Sequence, residues 1–497
     1  MPKTIRHEPT VSTGAARLIR SVLAILLATL CCEIGEVSAN AEDVRKPNIV
    51  LVMADDQGWG DMAYNGHPTL RTPNFDAAAR MGLRFDRFYA AAPVCSPTRA
   101  SVLTGRHPNR MGVFKWGYPL RPQETTVAEV LKTAGYATGH FGKWHLGSVR
   151  KSSPVHPGRH GFDEWLSAPN FFDNDPILSH RGHAVQFKGE SSMVTVDAAM
   201  DWIEGRAKAG EPFLAVVWFG SPHSPHRASV QDRAVYADQP PMFQDFYGEI
   251  TGMDRAFGRL RDSLHDLGIR QNTVLWYCSD NGALRRVGST GGHRGHKGQV
   301  YEGGLLVPSI IEWPARIARP RQTEMRCNTC DVYPTLLEIA GVSVKHQPPL
   351  DGISLVPLID GDTAARSKPM GFWDYRIRGI RTPSAAWMGQ LLDAQSTGGD
   401  LEPHESSRRA AELPSPAFSV SEFPGHSAWL DGDWKLHRIV DPDSKIAWEL
   451  YNLSTDPKEE ADISASEADR VNTMRSQLEA WLRSTVRSLN GEDYAER

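Results

Sequence analysis

The chain has 497 residues, of which 40% are hydrophobic and 23% charged, and a formal charge of −4 at pH 7. That length exceeds one ordinary core and predicts a large α/β domain with a smaller companion. The charge balance excludes the basic excess of a nucleic-acid binder, and the four cysteines after residue 41, Cys95, Cys278, Cys327 and Cys330, are too few for a disulfide scaffold.

In chain order, Arg17 and Arg20 precede an apolar run over 22–30 and a small-residue site, Ala39-Asn40-Ala41. This pattern predicts a signal peptide over 1–41, cleaved after Ala41, and a secreted or periplasmic protein. The run is short for a bilayer span, although a retained anchor is the competing reading, and no later segment resembles a transmembrane helix. Nearly continuous apolar runs at 48–54, 137–141, 213–219, 274–278 and 307–313 read as buried parallel strands. Helical patterns at 127–134 and around 247–267 lie between them, so the expected fold is a doubly wound α/β sheet. The polar stretch 362–368 marks a boundary between a catalytic domain, 42–365, and a C-terminal α+β subdomain, 366–497. In the latter, 394–411 reads as a surface loop, and 427–431, 434–440 and 447–452 read as antiparallel strands joined by Asp-Gly-Asp and Asp-Pro-Asp turns. A closing amphipathic helix carries Val471, Met474, Leu478, Trp481, Leu482 and Thr485, with Ser466 and Asp469 as a capping box.

The chemistry gathers where strands end. One apolar run leads into Asp55-Asp56, and another leads through Ser279 into Asp280-Asn281-Gly282. Ligands in open α/β sheets bind beyond the carboxyl ends of strands, and three carboxylates with an amide oxygen suit Ca²⁺ or Mg²⁺. The same residues also make ordinary turns after strands, which leaves both readings open. In Cys95-Ser96-Pro97-Thr98-Arg99-Ala100-Ser101-Val102-Leu103-Thr104-Gly105-Arg106, Pro97 falls in a first helical turn and Gly105 near its end. Cys95 therefore starts a helix, where the backbone favours anions, and Arg99 adds a cation one turn on. A cysteine-phosphatase loop is excluded because it needs five residues between Cys and Arg, and here there are three. Cys327-Asn-Thr-Cys330 lacks a second Cys/His pair for zinc and reads as a local disulfide or two ordinary thiols.

The segment Cys95 to Arg106 resembles the signature of the formylglycine-dependent (type I) sulfatase family, C-x-P-x-R followed by A-S-x-x-[ST]-G-R, at every position. The resemblance extends over 46–462 and includes Asp55-Asp56-Gln57-Gly58-Trp59-Gly60-Asp61, Gly142-Lys143-Trp144-His145, Pro222-His223-Ser224-Pro225 and Gly295-His296-Lys297-Gly298. Gly161-Phe162-Asp163-Glu164-Trp165 with Pro169-Asn170 resembles galactosamine-6-sulfatases and arylsulfatase A-like enzymes. In related human lysosomal enzymes a cysteine precedes the lysine that matches Lys297; here it is His296, so that disulfide is not expected.

The resemblance implies an alkaline-phosphatase-like fold and hydrolysis of sulfate esters. It implies one Ca²⁺ ion on Asp55, Asp56, Asp280, Asn281 and the modified Cys95, whose side chain becomes formylglycine (3-oxoalanine). The hydrate of that aldehyde would attack sulfur, helped by the metal and Asp280. Arg99 and Lys143 would orient it and neutralise the sulfate, His223 with Lys297 would protonate the leaving oxygen, and His145 would take the second hydroxyl proton as sulfate departs. The implied partners are sulfated carbohydrate or aryl sulfate substrates and a formylglycine-generating maturation enzyme. Taken singly, each residue has a plainer reading: Lys143 and His145 would share one face of a strand that could be solvent-facing, and Lys297 lies in a Gly-rich loop. A formylglycine phosphonate or phosphodiester hydrolase, and a glycan-binding protein with unmodified Cys95, are the competing functions.

Overall fold

The first strand shows how the sequence builds the central layer. In β1 (Asn48–Ala54) every residue after Asn48 is buried, and successive side chains enter opposite cores. Ile49, Leu51 and Met53 pack with Ala100, Val102 and Leu103 on one face. Val50, Val52 and Ala54 pack with Val196, Ile203, Met253 and Phe257 on the other. With both faces covered, polar alternation has no place, and the strand reads as a continuous apolar run. The computed structural model describes residues 4, 46–362, 365–401 and 411–494. Apart from residue 4, the expected signal peptide lies outside the described residues. Residues from Pro47 onward form one compact unit.

The main sheet has 11 strands. They are β1, β2 (Leu83–Tyr89), β3 (Ala137–Lys143), β4 (Glu164–Ala168), β5 (Ile177–His180), β6 (His183–Gln186), β7 (Phe213–Trp218), β8 (Thr273–Ser279), β9 (Leu306–Glu312), β10 (Arg321–Thr323) and β11 (Cys327–Asn328). Their order is β10-β2-β9-β8-β1-β7-β3-β4-β5-β6, with β11 beside β2. β8, β1, β7, β3 and β4 are mutually parallel. The expectation of a parallel strand over 307–313 is corrected: β9 runs antiparallel to both β8 and β2. The apolar run encodes burial on both faces but carries no direction. The connection from β8 returns without a long crossover helix, as an antiparallel neighbour requires.

Helices α1 (Pro73–Met81), α2 (Cys95–Thr104), α3 (Ser191–Ala209) and α4 (Pro241–Asp266) flank the sheet. The predicted strand ends are met within a residue or two, and α4 covers all but the last residue of the pattern around 247–267. Cys327 and Cys330 are buried free thiols, not a disulfide.

A second, antiparallel sheet holds β12 (Met370–Tyr375), β13 (Gly425–Asp431), β14 (Trp434–Val440) and β15 (Ile446–Asn452) in that order. One face packs on α5 (Ala468–Leu489) through Trp429, Leu436, Met474, Leu478 and Leu482. The other face buries Phe372, Ala428 and Leu430 against Val300 and Leu305 of the segment before β9 and Leu306 at its start. Lys435, wholly buried in β14, bridges Glu302 (2.8 Å) and Glu459 (3.0 Å), and His437 also reaches Glu459 (2.8 Å). Breaking a buried ion set by removing one partner typically costs about 3–5 kcal/mol, so this cluster ties the second sheet firmly to the 294–305 segment.

Two local expectations are corrected. The capping box does not form: Glu467 precedes α5 without a side-chain cap, and Ser466 Oγ donates back to the Ile463 carbonyl (3.0 Å). A serine offered a nearby carbonyl competes in this way with helix capping. The surface loop expected from 394 begins later, because the helix Ser384–Ser396 covers its first residues; 402–410 lie outside the described residues.

Candidate active site

The parallel strands deliver their polar termini to one edge. Asp55 and Asp56 follow β1, and Asp280 and Asn281 follow β8, the two strands being in register along their whole length. Asp56 has a left-handed backbone (φ 73°), a conformation that aspartate tolerates better than most residues. Its N–H donates to Asp280 Oδ1 (3.0 Å), and its Oδ1 accepts from Asn281 Nδ2 (2.9 Å). Committing the Asn281 NH₂ to Asp56 turns the amide oxygen the other way. Asp55 Oδ1, Asp56 Oδ2 and Asn281 Oδ1 are then buried with no donor.

α2 brings Cys95 to the same place. All ten of its residues are buried, and it ends at Gly105 (φ 70°) as the sequence predicts. Cys95 is 2% exposed, and its sulfur lies within 4.8 Å of oxygens of Asp55 and Asp280. Burial pushes the thiol's pKa up despite Lys143 and Lys297 nearby. Unmodified Cys95 is therefore a neutral thiol, a poor nucleophile.

The cations form a second layer. Arg99 is wholly buried, which rules out a surface role, and clasps Asp280 Oδ2 through Nη2 (2.7 Å) and Nε (3.1 Å). Lys143 Nζ donates to Asp55 Oδ2 (2.6 Å), and Lys297 donates to Asp56 Oδ1. Burial opposes charge on Lys297, but Asp56 beside it raises its proton affinity. Burial would likewise raise Asp56, yet Lys297, His223 and Lys143 hold it well below the usual carboxylate range. Gly142 (φ 100°) lets β3 approach β7 at this point, because a Cβ there would strike the Trp218 carbonyl. The strand ends at Lys143, and His145 adopts φ 54°. Both side chains are buried in the pocket, so the solvent-facing reading does not hold.

His223 stacks on Phe171, with ring centroids 4.3 Å apart. Its Nδ1 lies 2.6 Å from the Ser224 carbonyl and its Nε2 3.7 Å from Asp56 Oδ2. Burial pushes its pKa down to about 3, against the pull of Asp56. With side chains 17% and 21% exposed, His223 and Lys297 form the open side of the pocket.

All the sequence-predicted site residues thus meet in one pocket. Sequence reasoning missed two neighbours. Thr382 Oγ1 lies 3.2 Å from His145 Nε2 and accepts from Asn170 Nδ2 (2.9 Å), while burial keeps His145 neutral by pushing its pKa far down. Asn170 stood inside a motif and could have been found. Thr382 lies 237 residues from His145 in the chain, and no local pattern marks it.

The residues present fit a hard cation. Three buried oxygens, on Asp55, Asp56 and Asn281, lack donors, and oxygen ligands are what Ca²⁺ takes. Among the described residues, Asp55, Asp56 and His223 form one group able to hold an ion, and Asp55, Cys95 and Asp280 another.

The sheet order and the acidic, cation-backed pocket at its carboxyl edge define an alkaline-phosphatase-like α/β hydrolase architecture. A family profile described as Sulfatase matches residues 47–342. Arylsulfatase A of Homo sapiens is 33% identical over 436 residues, covering 78% of this chain and 84% of that protein. N-acetylgalactosamine-6-sulfatase of Canis lupus familiaris is 32% identical, covering 63% of this chain and 66% of that protein, just under two thirds of its length. The structure of Ps i-CgsB in complex with k-i-k-neocarrahexaose superimposes with a TM-score of 0.73 at 23% identity, covering 88% of this chain and 93% of that one; at that identity it shows the fold. The chain belongs to the sulfatase family, whose named relatives here are sulfuric ester hydrolases. Among the described residues no helix is long and apolar enough to cross a membrane.

Proposed function

We propose that the chain is a secreted or periplasmic hydrolase of sulfate esters. In this reading residues 42–365 carry the chemistry, with formylglycine derived from Cys95 and one Ca²⁺ ion held by Asp55, Asp56, Asp280, Asn281 and the modified residue 95. Sulfated carbohydrates are its substrates, aryl sulfates serve in assay, and a formylglycine-generating enzyme is its maturation partner. The observation that carries this reading is the trio of buried, donor-less oxygens on Asp55, Asp56 and Asn281, with a carboxylate oxygen of Asp55 within 4.8 Å of the Cys95 sulfur. An unsatisfied buried acceptor costs about 1–3 kcal/mol, which a cation relieves. When present, the ion supplies Lewis-acid polarisation of a sulfate oxygen, and formylglycine supplies a nucleophilic oxygen in place of the thiol.

The chain's own residues do the rest. With all three carboxylates ionised around a divalent ion, Arg99, Lys143 and Lys297 balance them, so the ion leaves the pocket positive and suited to an anionic ester. Lys143 and Arg99 hold the ester's oxygens and residue 95 in place. His223 is neutral in the free site, with Nδ1–H donating to the Ser224 carbonyl and Nε2 left open. A sulfate anion beside Nε2 raises its proton affinity, and the Lys297 ammonium is the nearest stored proton for the leaving oxygen. Thr382, itself held by Asn170, accepts Nε2–H from His145, leaving the Nδ1 lone pair, buried without a partner, free to act as the base. Thr382 and Asn170 are positioning residues.

The deciding experiment pairs the mass of the Cys95 peptide, expected about 18 Da below the cysteine form, with sulfate release from defined sulfated saccharides. An unshifted mass in active protein overturns the formylglycine assignment. Release of phosphonate or phosphodiester products in preference to sulfate overturns the substrate assignment.

Leaving-group dependence tests His223. His223→Ala is expected to lose on the order of 10²-fold more kcat/KM on a sugar sulfate than on nitrophenyl sulfate, since the phenolate leaves almost unaided. Equal losses would remove the proton-donor role. Thr382→Val is expected to lower kcat about tenfold at unchanged KM, with Thr382→Ser close to wild type. A wild-type kcat in Thr382→Val would show that His145 needs no such partner.

A further inference from the structure

A shallow groove of about 460 Å³ is lined by Lys115, Asp374, Arg376, Arg378 and His426, among others. Three of its walls lead within a few residues to the pocket. Two residues past Lys115, Gly117 N donates to Ser96 Oγ (2.9 Å), next to Cys95. The wall carrying Arg376 and Arg378 continues to Thr382, which holds His145. His426 meets the ring of Tyr301, four residues past Lys297, at a centroid distance of 5.1 Å.

The groove departs from the mildly acidic character of the chain. Lys115 pairs with Asp374, the one carboxylate among the lining residues. Arg376 spends one Nη1 bond on the Asp441 carbonyl (2.8 Å), a neutral partner. The Arg378 carbonyl accepts from Tyr118, whereas no hydrogen bond or ion pair engages its guanidinium among the described residues. Burial keeps His426 neutral by pushing its pKa far down, so it does not add to the charge. Two arginines are thus left without an acidic partner on one open surface, an arrangement that attracts anions. Beside them Trp116, 39% exposed, lies against the Gly379 backbone so closely that any Cβ at 379 would strike its ring. That contact fixes the arginine-bearing loop against Trp116, in the segment that leads to Gly117 and Ser96.

We propose that this groove is a distal subsite that binds a second anionic group, sulfate or carboxylate, of an oligosaccharide whose scissile sulfate ester sits at Cys95. The inference rests on the hydrolase reading above and narrows it: the preferred substrate is a polyanionic saccharide carrying at least two anionic groups, and small aryl sulfates use only the inner pocket.

The test compares wild type with R376A/R378A, and with R378A alone, on four substrates: a disulfated tetrasaccharide, a monosulfated tetrasaccharide containing a uronate, a neutral monosulfated tetrasaccharide and nitrophenyl sulfate. The double variant is expected to raise KM about tenfold for one or both of the doubly anionic substrates at unchanged kcat, with the other two unaffected. Which substrate loses identifies sulfate or carboxylate as the ligand. A parallel measurement of tetrasaccharide binding to Cys95→Ala protein, by calorimetry at low and high salt, is expected to show the same factor and a weaker salt dependence after the arginines are removed. That arm needs no turnover, so it reads the groove even in a chain that hydrolyses no sulfate ester. Unchanged KM and affinity, or an equal loss on the neutral saccharide or nitrophenyl sulfate, overturns the subsite.

Discussion

Cys95→Ala is expected to fold as wild type does and to lose sulfatase turnover by on the order of 10⁴-fold or more, because in the proposed mechanism it deletes the group from which the nucleophile is made. The structural cost is small. One buried sulfur is removed from the first turn of α2, and the Asp55, Asp280 and Arg99 contacts do not pass through it. A cavity of that size costs about 1 kcal/mol, so melting temperature and circular dichroism should barely move. Cys327→Ala is the control: it removes an equally buried thiol from β11 and is expected to keep turnover. Comparable activity in Cys95→Ala would sink the nucleophile assignment, whereas loss in both variants would trace the effect to folding.

Exhaustive chelation is expected to abolish turnover and lower the melting temperature, and added Ca²⁺ to restore both, since a ligand bound only by the native state stabilises it by about 2.7 kcal/mol at a hundredfold excess over Kd. The cleanest ligand variant is Asn281→Ala. Asp280 cannot be removed without stranding buried Arg99 (2.7 Å away), at a cost of about 3–5 kcal/mol. Asp56→Ala strands Lys297 and puts alanine at φ 73°. On the proposed ligand set, Asn281→Ala deletes one neutral oxygen ligand, one hydrogen bond to Asp56 and one to the Gly282 carbonyl. It is expected to weaken Ca²⁺ by about 10–100-fold in a titration followed by thermal shift, with turnover partly regained at high Ca²⁺. Full activity in protein shown metal-free by elemental analysis would refute the metal's role.

The sequence by itself determined five strands of the eleven-stranded central sheet and the carboxylates and cysteine that gather at its edge. A strand buried on both faces must be apolar throughout, so β1, β7 and β8 stand out as uninterrupted runs. Carboxylates that follow such runs are carried to the same edge by the parallel pairing. The α2 boundaries were equally legible, because Pro97 and Gly105 act through local φ and ψ preferences. Tertiary structure alone decided what depends on distant partners. The direction of β9 follows from how the chain returns from β8, which no periodicity records. Thr382 reaches His145, and Lys435 reaches Glu302 and Glu459, only after the second sheet packs its apolar face on 300–306. A sequence window shows which side chains are buried and which torsions are favoured. It does not show which polar atoms meet across hundreds of residues, because that depends on packing the whole chain satisfies at once.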